Sequence, residues 1–154
     1  MLDRAPPEAL LICRLSDAWC GLPLSRVIET MRPLPLLPFA EAPPWMCGLA
    51  LIRGEPTPVV DGNRLITGPA QTIRRFVTVR VAGRQAALAV EHVRGILRLD
   101  ADGWQALPPL LQDAGQEVIR AIGRLDGDLM LFLETARLVP DTAWESLDRQ
   151  WNAS

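Results

Sequence analysis

Apolar and polar positions in the first sixty residues alternate in short runs and form no helical stripes. ALLICRL (9–15) and CGLPL (20–24) flank Ser16-Asp17-Ala18-Trp19, which predicts a hairpin, and RVIETM (26–31) predicts a third strand. From Pro33 to Pro44 the run PLPLLPFAEAPP carries five prolines, so it predicts an extended connection without ladder bonds. The run GLALIRGEPTPVVD, Gly48 to Asp61, predicts two strands around an Arg53-Gly54 turn, inside a hairpin that starts at Trp45. Gly54 gives the turn its permissive backbone, and Pro56 and Pro58, which donate no ladder bond, predict a sheet edge for the second strand. Arg53 then sits at the mouth of a β unit.

Turn formers from Gly62 to Thr72 predict an internal boundary, with one barrel over about 9–61 and a second over about 73–133. RFVTVRV (75–81) sets Val77, Val79 and Val81 on one face, and Ala82-Gly83-Arg84 turns the chain into QAALAVEHV. Gly95 interrupts a further run ending at Leu99, and Asp100 to Gly115, with Pro108-Pro109, reads as a loop. Strands at 117–125 and 128–133 are joined by Asp126-Gly127. Two segments read as helical: Glu134 to Leu138, and Asp141 to Trp151 with Asp141 as N-cap and Ala143, Trp144, Leu147 and Trp151 near helical spacing. Trp144 and Trp151 are placed to dock that helix. The fold class is mainly β, as small barrels or a sandwich.

A chain of 154 residues can bury a core for one domain or two small fused subdomains. Hydrophobic content of 49% and charged content of 22% describe an ordinary globular protein. A net charge of −2 excludes a sequence-independent grip on nucleic acid, which needs a basic stripe. All 16 basic residues are arginine, which fits a coding bias or a preference for bidentate carboxylate pairing. Cys13, Cys20 and Cys47 form no CxxC pair, so the expectation is unpaired thiols in a reducing cytoplasm, with no zinc. Neither a signal peptide nor a membrane span is expected.

Enzymatic chemistry has few candidates. No GxGxxG or GxxxxGK[ST] motif is present, and His92, beside Glu91, is the single histidine. A thiol hydrolase pairing Cys20 or Cys47 with His92 is one rival reading, and a small ligand-binding β-barrel is another. The expected answer is no catalytic residue and no cofactor.

Gly48 to Gly54 followed by Pro58-Val59-Val60-Asp61 resembles the signature of the CheW-like coupling proteins of bacterial chemotaxis, a Gly-x-x-x-x-Arg-Gly turn leading into a Pro-Val-x-Asp strand. Val27-Ile28-Glu29 resembles the family's Val-x-Glu strand, and Ala89 to Leu99 its Val-Asp-x-Val-x-x-Val-Leu segment. Ala121-Ile122-Gly123 and Leu131-Phe132-Leu133-Glu134 resemble the closing strands. The chain departs from the pattern at Gly62-Asn63, in place of Leu-Arg, and at Thr57 between two prolines. The resemblance implies two intertwined five-stranded β-barrels and a short C-terminal helix. It implies a non-enzymatic adaptor, cytoplasmic and recruited to receptor arrays at the inner membrane, that couples a chemoreceptor tip to the regulatory domain of a CheA-type histidine kinase. It implies partner-binding roles for Arg53 and Glu29, paired across strands, and for Val27 and Ile96 in an inter-barrel groove. A pathway of surface motility is as compatible with it as flagellar chemotaxis.

Overall fold

The alternating runs become strands where predicted. A computed structural model describes residues 8–66, 68–69, 72–99, 105–106 and 118–152. The strands are β1 (Glu8–Arg14), β2 (Trp19–Pro23), β3 (Val27–Met31), β4 (Met46–Ile52), β5 (Glu55–Asp61), β6 (Arg75–Val81), β7 (Arg84–Val90), β8 (His92–Leu99), β9 (Gln105–Ala106), β10 (Ile119–Leu125) and β11 (Asp128–Leu133). Helix α1 covers Gly62–Leu65 and α2 covers Asp141–Asn152, with a 3-10 turn at Thr135–Arg137.

Two sheets form, ordered β8-β1-β2-β11-β10-β9 and β3-β6-β7-β5-β4. Leaving aside the two-residue β9, both carry the same pairing sequence of antiparallel, antiparallel, parallel and antiparallel neighbours. In each, a hairpin (β1-β2 or β6-β7) is followed by a strand that leaves for the edge of the other sheet. So β3 pairs with β6, and β8 pairs with β1. That exchange intertwines the two units.

The exchange also explains why several strands are apolar on both faces. Leu10 and Ile12 of β1 pack with Met130 and Phe132 in a core private to the first sheet. Phe76, Ala87 and Ala89 pack with Ile52 and Val59 in a core private to the second. The opposite faces, including Leu11, Leu22, Val77, Val79, Leu88 and Leu133, meet in a shared core that also takes Ala143 of α2. The helix is held by Arg84, which stacks over Trp144 at 4.3 Å and pairs with Asp148 at 2.8 Å. Trp144 thus serves the expected docking role, while Trp151 is largely exposed.

Several expectations need correction. The proline-rich connection is not free of ladder bonds, since Leu37 and Leu49 exchange both backbone bonds, at 2.7 and 2.9 Å. Strand β5 is interior, not an edge, lying between β7 and β4. Its prolines are tolerated because β7 pairs only with Val59–Asp61, whereas Pro56 and Pro58 face Leu51 and Leu49 of β4 on the partly paired half. The boundary at 62–72 does not divide the units, since β5 and β6 share one sheet. Turn-rich composition marks where a chain bends, not which strands pair, and the crossings fall at Leu24–Arg26 and Glu91 instead. Gly62–Leu65 is a helical turn, capped by Asp61, whose Oδ1 accepts from the amides of Asn63 (3.0 Å) and Arg64 (3.3 Å). Asp141 stands inside the first turn of α2, and the Pro140 carbonyl takes the amides of Ala143 and Trp144. Of the loop read at Asp100 to Gly115, Gln105–Ala106 pairs with β10, and the rest, with Trp104, lies outside the described residues.

The three cysteines are free thiols. Cys13 faces Cys20 across β1-β2, both fully buried, and the hydrogen bond from Cys13 together with burial raises the Cys20 thiol well above its ordinary 9.0. Burial, helped by the charge of Asp61, pushes the Cys47 thiol up to about 11. Native protein at pH 7.5 should therefore alkylate at least about tenfold more slowly than urea-unfolded protein at all three positions, read by mass spectrometry. Rapid native labelling, or a gain of two hydrogens on reduction, would contradict this.

Candidate partner-binding site

The β4-β5 hairpin closes on two residues, Arg53 (φ 52°) and Gly54 (φ 77°), in the left-handed backbone of the turn that matches strand twist. A buried glutamine fixes the turn from below. Gln85 Nε2 donates to the Ile52 carbonyl at 3.0 Å and to Thr57 Oγ1 at 2.9 Å. The Arg53 side chain, 72% exposed, is therefore carried by a rigid base.

Its partner is Glu29. Arg53 Nε donates to Oε2 at 2.6 Å and Nη2 to Oε1 at 2.8 Å, a bidentate fork. Glu29 follows a bulge at Ile28, where the register shifts between Val27 and Glu29. Thr78 Oγ1 holds that bulge by accepting from the Glu29 amide (3.2 Å) and donating to the Glu29 carbonyl (3.3 Å). The side-chain hydrogen bonds from Arg53 hold the Glu29 carboxyl below its ordinary 4.5, and Glu29 in turn raises Arg53. The pair is ionised across the neutral range. Among the described residues two of the five guanidinium N–H donors are engaged, leaving three for a partner.

The fork also reveals the shape of the sheet. Laid flat, β3 and the β4-β5 turn would lie three to four strand spacings apart, about 14–19 Å. Their contact at 2.6 Å means that the five-stranded sheet curls until its two sides meet. The other sheet repeats the device with charges exchanged: Asp126 (φ 52°) on the β10-β11 turn accepts from Arg94 of edge strand β8 at 2.5 Å. Arg94 also stacks over Trp19 at 5.0 Å, so it is more fully committed than Arg53.

Of the four residues expected to bind a partner, the structure brings Arg53 and Glu29 together. Val27 and Ile96 stand on the edge strands of different sheets, β3 and β8. Val27 is half-buried against the shared core, while Ile96 is 65% exposed. Thr78 and Gln85 escaped the sequence reading, although each is a buried polar residue in a strand whose other buried residues are apolar. His92 lies edge-on to Trp19, ring centroids 6.1 Å apart. With Cys13 and Cys20 sealed in the core and Cys47 pushed up, nothing favours the thiol-enzyme reading. Among the described residues no group of three or more His, Cys, Asp or Glu side chains could hold a metal ion, and no helix is long and apolar enough to cross a membrane.

The chain is similar to known proteins along most of its length. The model of the CheW-like domain matches residues 9–143. Protein FrzA of Myxococcus xanthus is 31% identical over 146 residues, covering 87% of this chain and 91% of that one. Chemotaxis protein CheW of Rhizobium meliloti is 26% identical over 140 residues, covering 89% and 90%. The crystal structure of the scaffolding protein TtCheW from Thermoanaerobacter tengcongensis shares the fold, with a TM-score of 0.70 at 20% identity over 83% of this chain and 89% of that one.

Proposed function

Because this chain belongs to the CheW-like family and is a chemotaxis scaffold or adaptor protein, we propose that it couples the cytoplasmic tip of a chemoreceptor to the regulatory domain of a CheA-type histidine kinase, with Arg53 as a contact residue. The observation that carries this reading is the Arg53 guanidinium, exposed on a rigid turn, oriented by Glu29 and retaining three unengaged donors. An arginine held this way pays little ordering entropy on binding and presents a planar fork to carboxylates or carbonyls. Ile96 supplies an exposed apolar anchor on the edge of the first sheet, and Val27 and Ile28 line the edge of the second, which carries Arg53.

In this reading the chain transmits state by contact. It binds two partners at once, and receptor state reaches the kinase as a difference in contact free energy between two arrangements. It works without a cofactor, in the cytoplasm at membrane-associated receptor arrays. The test is capture from cell extract by the tagged full-length chain: a histidine kinase and a receptor should be recovered together. Recovery of neither would overturn the proposal.

A further inference from the structure

The described arginines differ in whether they meet a carboxylate and in whether they cluster. Arg14, Arg53, Arg84, Arg94 and Arg149 each meet a carboxylate. Arg32, Arg74 and Arg75 are exposed and form no ion pair among the described residues, and all three line one open cleft of about 510 Å³. The cleft lies at the end of β3, the start of β6 and the β7-β8 link, the last of which crosses between sheets. One step beyond the Met31-Phe76 pair, Arg32 and Arg75 continue from neighbouring strands. Like charges side by side on adjacent strands are destabilising, so folding alone does not account for them. Glu91 brings one carboxylate against three guanidiniums, and His92 adds further donor capacity.

We propose that this cleft is a docking site for an acidic segment of a protein partner, whose Asp or Glu carboxylates are forked by Arg32, Arg74 and Arg75. Guanidiniums match carboxylates bidentately. A site built for small phosphates would offer a nest of free backbone amides, and here they are spent: the Arg74 amide on the Val90 carbonyl (3.0 Å) and the Glu91 amide on that of Arg14 (2.9 Å). The inference rests on the reading of the chain as an adaptor that works by protein contact, but it is independent of Arg53.

The test uses a fluorescein-labelled hexaglutamate peptide, titrated with the full-length chain at low salt and followed by anisotropy. The combined variant Arg32→Gln, Arg74→Gln, Arg75→Gln should bind about tenfold or more weakly. The variant Arg26→Gln, Arg64→Gln, Arg80→Gln, which removes the same charge from exposed positions outside the cleft, should change affinity by less than about twofold. If the triple cleft variant loses its circular dichroism, the three single variants carry the test, each expected to lose part of the affinity. Equal losses in both triples, equal binding of hexaglutamine, or displacement by pyrophosphate at concentrations as low as the unlabelled peptide's would each overturn the proposal. Because capture of kinase and receptor is a separate assay, failure here is distinguishable from failure of the adaptor reading.

Discussion

Arg53→Ala should weaken capture of the isolated kinase regulatory domain or receptor tip by about 30-fold or more, while moving the thermal midpoint by no more than about 3 °C. The asymmetry follows from exposure. A largely exposed ion pair is screened by water in the free protein, whereas an oriented guanidinium enclosed in an interface loses that screening. Arg53→Lys should not rescue binding, since an ammonium cannot make the two parallel bonds that Glu29 now receives. Glu29→Gln should fall between, keeping the charge but loosening its aim. The pH dependence has a definite sign. Glu29 is depressed in the folded chain, so the fork's contribution is fully present above the ordinary 4.5 and is lost only as pH falls through the lowered value. The Arg53→Ala defect should therefore be the same at pH 6 and pH 8. Unchanged affinity in either variant, or a collapse of stability large enough to explain the defect, would remove Arg53 from the site.

The largest effect on stability is expected at Gly48. It sits beside a bulge in β4, at φ 147°, where an added Cβ would come 2.5 Å from the Leu37 carbonyl oxygen. That carbonyl cannot yield, because Leu37 and Leu49 exchange both backbone bonds, at 2.7 and 2.9 Å. These bonds fasten the proline-rich strap to the edge of β4, and its far end is tied to α2 by Ser146 and Gln150 on the Ala40 carbonyl. Gly48→Ala should cost about 2–4 kcal/mol, from backbone strain and forced displacement together. A chain of this size would then melt about 5–15 °C lower. Gly54→Ala is the control: φ is 77° but nothing lies within 4 Å of the added atom, so only about 1 kcal/mol of left-handed strain is expected. If the two variants melt together, the strap does not rest on the strand as described.

Gly48 shows how far the sequence carries. It opens the run that resembles the family signature, yet nothing local says why a glycine is needed there. The partner is a carbonyl eleven residues upstream on a segment predicted to make no ladder bond. Arg53 and Gly54 were legible, because a two-residue turn between alternating runs is a local event with local chemistry. Thr78 and Gln85 were not legible as supports, since their roles depend on a bulge in β3 and on a turn in another hairpin.

The sequence by itself determined the strands, their alternating faces and the turns, because a period of two and the backbone freedom of glycine act within a few residues. Through its motifs it also determined the family. Only the tertiary structure decided which strands share a sheet, that β3 and β8 are exchanged between units, and that the sheets curl shut through Arg53-Glu29 and Arg94-Asp126. Each of those outcomes joins residues dozens of positions apart, where the deciding energies come from two-sided burial and shared cores rather than from anything written locally in the chain.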